Sequence, residues 1–141
     1  PYKGGIDGIP DLVRGDISMM FNGIGTLLPH VTAGRLRGLG VGSAKRSLVA
    51  PQFPTISEAG LPGFEATTWI ALVAPSNTPR NTISKISGLV IKIGESAEIR
   101  ERLIRQGAEP QTGTPDQLQA FIKNEIVKWG KVVNASGARA E

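Results

Sequence analysis

Residues able to do covalent chemistry are scarce in this sequence, and their spacing does not gather them. His30 is the single histidine and there is no cysteine. Thiolate nucleophiles, thiolate metal sites and disulfides are therefore excluded. On a helix with no cysteine or clustered carboxylate beside it, His30 reads as structural rather than catalytic or metal-binding. Ser18, Ser43 and Ser57 lack the strand-to-helix elbow that activates a nucleophilic serine. Asp7, Asp11 and Asp16 lie close in sequence, but not at the spacing of a calcium loop. Gly23-Ile24-Gly25 lacks the rest of a dinucleotide fingerprint. The sequence thus offers no catalytic residue, no metal site and no cofactor site.

The remaining chemistry is positional. Two glycine loops, Lys3-Gly4-Gly5-Ile6 and Asn22-Gly23-Ile24-Gly25, each follow a predicted strand and lead into a predicted helix. In an open α/β sheet, ligands sit outside the carboxyl ends of the strands. Glycine lets the backbone approach a ligand, and helix N-termini present N–H groups to an anion. A carboxylate held mainly by backbone amides needs few charged side chains. That chemistry fits a sequence without a charged active-site cluster.

The elements that must position these loops alternate in type. Tyr2-Lys3-Gly4-Gly5 reads as the end of a strand entering a turn, and the chain begins there without a Met. Such a start implies that a leader or a larger piece lies upstream. Pro10 to Gly15 reads as a short helix closed by glycine. Ile17–Phe21 reads as a buried strand. Thr26 is a candidate N-cap for a helix through Val31, with Pro29 in its first turn and Gly34 ending it. Leu36–Val41 reads as another strand, giving the alternation of an α/β open sheet. Residues 42–63 form a long Pro- and Gly-rich connection. Thr67–Ala74 is a β-branched, apolar strand closed by Pro75. Helices are predicted over roughly 80–95 and 97–106, the second stopped by Gly107. Thr114-Pro115-Asp116-Gln117 is a capping-box start, and Leu118, Phe121, Ile122, Ile126, Trp129 and Val133 make one apolar, core-facing stripe.

Composition bounds the function class. The chain has 141 residues, 40% hydrophobic and 20% charged, which suits one ordinary folded domain rather than disorder. No apolar run approaches the ~20 residues of a membrane-spanning helix. Net charge is +4 and the pI near 9.8, a mildly cationic surface that favours anionic ligands at long range. The basic residues are scattered and aromatics are only 5%, which argues against nucleic-acid binding.

Three stretches together resemble a known family: PYKGG…DLVRGDISMMF…LPHVTAGRLRGLGV, then PTISEAGLPGFEATTWIALVAPSNTP, then RERLIRQGAEPQTGTPDQLQAFIKNEIVKWGKVV. In order and over nearly the whole chain, they are similar to the solute-binding proteins of tripartite tricarboxylate transporters, the Bug or TctC family. The resemblance implies a two-lobed, type II periplasmic-binding-protein-like α/β fold. It also implies that this chain is the C-terminal portion, with the first lobe upstream. Residues 1–66 are then most of the second lobe, 67–74 a crossing strand, and 75–141 a helical segment that would pack on the first lobe. Such proteins are non-enzymatic receptors of the bacterial periplasm, exported by an upstream signal peptide. They capture a small di- or tricarboxylate, or a related organic acid, and deliver it to membrane permease subunits.

Carried over by position, the ligand-binding residues are Tyr2, Lys3, Gly4 and Gly5 at one cleft turn, Phe21, Asn22 and Gly23 at a second, and Thr67, Thr68 and Trp69 on the crossing strand. The family commonly has Phe-Asp-Asn where this chain has Phe21-Asn22-Gly23, and Pro where Gly25 stands. Losing a carboxylate there makes the cleft less repulsive to anions. Apolar surface meant for the first lobe implies homodimerisation or exchange of elements by the segment alone; a strictly monomeric mass in light scattering would count against it. The alternative reading is the ligand-sensing effector domain of a cytoplasmic transcription regulator, which shares this architecture. An upstream helix-turn-helix would favour the regulator, and an upstream signal peptide the receptor.

Overall fold

The computed structural model describes residue 2 and residues 4–137. Its helices are α1 (Ile9–Arg14), α2 (Ile24–Thr32), α3 (Arg80–Glu95), α4 (Ala97–Arg105) and α5 (Pro115–Ser136). By contacts the chain divides into a first unit, Pro1–Val73 with Ser96–Pro110, and a second, Ala74–Glu95 with Gln111–Glu141.

In the first unit, α1 carries Pro10 in its first turn, where a fixed φ and missing N–H are well suited. It stops at Gly15, left-handed at φ 85°, and the Asp16 N–H closes the end on the Asp11 carbonyl at 2.8 Å. The structure corrects the start of α2. Gly23, not Thr26, is the N-cap and has no side chain to cap with. Thr26 lies inside the first turn, where its hydroxyl donates to the Gly23 carbonyl at 2.7 Å. Pro29 consequently sits inside the helix, removing the N–H that would bond the Gly25 carbonyl. α4 begins at Ser96, whose Oγ accepts from the Ile99 N–H at 3.4 Å. It ends before Gly107, where φ is +80°.

The strand predictions fare differently. Ile17–Phe21, Leu36–Val41 and Thr67–Ala74 contain no laddered strand; among the described residues β-pairing is one isolated parallel bridge, Val41 to Thr55. Val41 N–H donates to Pro54 O, and Ile56 N–H to Val41 O, both at 2.9 Å. Proline has no N–H to carry such a ladder further along the 54–56 segment. Extended segments become strands only against a neighbour, and the described residues supply none for the other runs. Met19 and Phe21 are accordingly exposed, and Ile70 is 98% exposed. The fully buried apolar residues are Ile9 and Ala50 alone among those described.

Two polar clamps organise the long connection instead. Thr55, 1% exposed, accepts the Glu58 N–H on Oγ1 at 3.0 Å, while Glu58 Oε2 accepts the Thr55 N–H at 3.1 Å. This is the reciprocal arrangement of a capping box, and Arg46 Nε adds an ion pair to Glu58 at 2.9 Å. Buried Ser47 donates to Glu109 Oε1 at 2.5 Å, and the same oxygen accepts the Leu48 N–H at 2.9 Å.

The second unit contains α3 and α5. The predicted capping box opens α5: Thr114 Oγ1 accepts the Gln117 N–H at 3.2 Å and Gln117 Oε1 accepts the Thr114 N–H at 2.8 Å. Its apolar stripe is only partly covered. Leu118 and Ile122 are half-buried, whereas Phe121, Ile126, Trp129 and Val133 are exposed. The buried side chain on this helix is Glu125, which accepts from Trp129 Nε1 at 2.9 Å and pairs with Lys128.

Candidate functional site

Both predicted glycine loops lie in the first unit, and the structure joins them. The Asn22 carboxamide does so: Nδ2 donates to the Gly5 carbonyl at 2.7 Å, and Oδ1 accepts the Gly23 N–H at 2.7 Å. A Cβ on residue 5 would stand 2.9 Å from Asn22 Oδ1, so only glycine lets this side chain lie across the first loop. The first loop is a turn closed by the Asp7 N–H on the Gly4 carbonyl at 3.2 Å. That turn uses neither the Gly5 nor the Ile6 N–H.

Tyr2 packs at the same place. A Cβ on buried Gly8 would meet the Met20 methyl at 2.5 Å and the Tyr2 ring at 3.1 Å. The Tyr2 hydroxyl donates to Asp11 Oδ2 at 2.7 Å. Asp11 also pairs with Arg14, whose Nε reaches Asp16 at 2.9 Å. The hydrogen bond to Asp11 is the main reason the phenol titrates above its ordinary 10.0, with desolvation and nearby acidic charge adding to it. The Arg14 guanidinium is held protonated still more firmly, first by its hydrogen bond to Asp16.

The second loop runs into the N-terminus of α2. The Thr26 and Leu27 N–H groups turn back to the Gly23 carbonyl at 3.1 and 3.3 Å. Those of Ile24 and Gly25 have no acceptor within the helix. Gly107 lies against the second of these: a Cβ there would be 2.5 Å from Gly25 N. Conversely, a Cβ on Gly25 would collide with the Gln106 carbonyl oxygen. This mutual approach gives a physical reason for glycine at both positions. Beside it, Leu28, Pro29, Thr32, Val49 and Arg105 line an open cavity of about 420 Å³.

Of the sequence-predicted residues, Tyr2, Gly4, Gly5, Asn22 and Gly23 come together. Phe21 lies beside them and is 71% exposed. Lys3 lies outside the described residues. Thr67, Thr68 and Trp69 are in the same unit, and the residue before them is held to Gly42. The Ala66 N–H donates to the Gly42 carbonyl at 2.8 Å, and a Cβ on Gly42 would collide with Ala66 O. The Asn22 bonds do not extend to that segment. Sequence reasoning missed the Asp11 hold on Tyr2 and the Glu109 clamp, both long-range. It also missed the Thr55–Glu58 box, whose spacing was available in PTISE.

Known proteins share this sequence and fold. The profile of the family described as "Tripartite tricarboxylate transporter family receptor" matches residues 1–138. Protein BugT of Bordetella pertussis is 35% identical over 139 residues, covering 99% of this chain and 43% of BugT. The structure of Rhodopseudomonas palustris Rpa4515 with adipate superposes with a TM-score of 0.84 at 34% identity, over 97% of this chain and 46% of that one. MatC of the same organism, with bound malate, superposes at 0.73 and 30% identity, over 94% and 46%. Other superposing chains are periplasmic binding and transport proteins. The fold is thus that of the periplasmic binding proteins of this type, and the chain spans less than half the length of these relatives. It belongs to the tripartite tricarboxylate transporter receptor family, a family of solute-binding proteins rather than enzymes.

Proposed function

We propose that the full-length chain carrying this segment is a periplasmic receptor. It captures a small dicarboxylate, or a related organic acid, between two lobes and delivers it to the permease subunits of its transporter. The observation that carries this reading is the juxtaposition of the two glycine loops by Asn22, at 2.7 Å from the Gly5 carbonyl. That junction places turn amides beside the α2 N-terminus, an arrangement that favours a carboxylate without needing a cationic side chain. The adipate and malate held by the two structural neighbours supply the ligand class. Tyr2, Gly4, Gly5, Phe21, Asn22 and Gly23 form the part of the cleft contributed by this segment, with Lys3 and Thr67–Trp69 assigned by position. As in the solute-binding family to which the chain belongs, the ligand is expected to leave unchanged. Isothermal titration of the full-length chain with adipate, malate, citrate and a set of amino acids tests the reading. Micromolar or tighter binding of one carboxylate without turnover is expected, on the order of −8 kcal/mol or better. Heat from an amino acid alone, or conversion of a carboxylate, would refute it.

A further inference from the structure

The Asn22 side chain is already occupied by protein. Nδ2 donates to Gly5 O at 2.7 Å and lies 3.8 Å from Met20 Sδ, and Oδ1 accepts from Gly23 N at 2.7 Å. Its partners dictate its orientation: a carbonyl must face the amino end, and an N–H the carbonyl end. Aspartate has the same shape and could still accept from Gly23, but as a carboxylate it cannot donate to Gly5. The partner loop is matched to the side chain, because a Cβ on residue 5 would stand 2.9 Å from Oδ1 and 3.0 Å from Nδ2.

From this we infer that Asn22 is a positioning residue, a clip that sets the spacing of the two glycine loops through a bond only a donor at its amino end can make. It does not grip the solute itself. It fixes where the turn at Gly4–Asp7 stands relative to the start of α2, and so the separation of the backbone amides that would face a carboxylate. The inference rests on the carboxylate reading for its ligand measurement, but the clip itself can be judged without ligand.

The test uses the full-length chain as wild type, Asn22→Ala and Asn22→Asp, titrated with adipate and with malate across the acid range. Each variant is expressed as a ratio to wild type at the same pH, which cancels titration of the ligand. At neutral pH, Asn22→Ala and Asn22→Asp should each weaken binding roughly tenfold, as for one lost hydrogen bond, because neither can donate to Gly5 O. Below the carboxyl range near pH 4, the introduced carboxyl is protonated and can again donate to Gly5 O. Asn22→Asp should then bind more tightly than Asn22→Ala, a divergence that a general loss of packing would not produce. An aspartate variant that tracks alanine at every pH, or either variant equal to wild type, overturns the inference. Hydrogen exchange without ligand separates it from the functional reading. Loosening of the clip should speed exchange of the Asp7 and Ile9 amides, which close the Gly4 and Ile6 turns, in both variants at neutral pH. If the wild type binds neither acid but this exchange accelerates, the clip stands and the ligand assignment falls. Unchanged exchange overturns the clip whatever the ligand proves to be.

Discussion

Gly25 and Gly107 should tolerate no side chain, and the reason inverts an ordinary expectation. Gly25 lies in the first turn of α2, where glycine to alanine normally stabilises a helix interior by about 1 kcal/mol. Here the added methyl would meet the Gln106 carbonyl oxygen, with the Gly107 Cα at 3.3 Å. These are backbone atoms that no rotamer change can move, so an overpacking cost of about 1–3 kcal/mol should win. Gly25→Ala should therefore destabilise. Gly88 in α3, with nothing within 4 Å of its built Cβ, should gain from the same change. Gly107 carries a second penalty, because φ +80° costs a residue with a Cβ about 1–2 kcal/mol. Its Cβ would also press on the Gly25 backbone, for a total of about 2–5 kcal/mol. Gly15 is the matched control, left-handed at φ +85° but with nothing within 4 Å, and should lose only the conformational part. The assay is urea unfolding of the four variants in the full-length chain, compared at constant slope. A stabilised Gly25→Ala, or a Gly107→Ala no worse than Gly15→Ala, would refute the close approach of α2 to the end of α4.

Two further outcomes are expected. Removing the carboxylate of Glu109 leaves the buried Ser47 hydroxyl and the Leu48 N–H without the oxygen they share at 2.5 and 2.9 Å. Glu109→Ala should cost about 1–3 kcal/mol in urea unfolding, and Glu109→Gln clearly less because it keeps an acceptor; equal losses would discount the clamp. Tyr2 titrates above 10.0 mainly through its bond to Asp11, so Asp11→Asn should bring its phenolate absorbance midpoint down. Because the folded value is raised, its contribution to stability is complete below the ordinary tyrosine pKa and disappears as pH rises through the raised one. An unmoved midpoint would remove Asp11 as the group that holds Tyr2.

Local signals were legible in the sequence, and relational ones were not. Thr114-Pro115-Asp116-Gln117 announced α5 because every partner in a capping box lies within four residues. Gly15, Gly34 and Gly107 announced helix ends because each needs a positive φ. Thr26 misled for the same reason in reverse: a hydroxyl looks like a cap, whereas Gly23 caps with backbone alone and leaves no side-chain signature. Strands are relational. Leu36–Val41 has strand composition, yet its one bridge is decided by Thr55 and curtailed by Pro54, in a stretch that reads as loop. Thr67–Ala74 is as β-branched as any strand, yet extended residues gain a ladder only from a neighbour the described residues do not provide.

The site divides along the same line. The two glycine loops were visible as places where backbone can meet an anion, but their separation was not, because it depends on one side chain reaching 17 residues back along the chain. Reading Asn22 by residue type makes it a ligand contact, since a carboxamide beside a cleft can donate and accept. Its geometry removes that freedom by committing a donor and an acceptor to Gly5 and Gly23. On the proposed reading, recognition of a carboxylate at this junction is the work of the backbone, and the side chains around it act by holding that backbone in place. Substituting Asn22, Asp11 or Gly107 should then alter affinity without any of the three touching the solute.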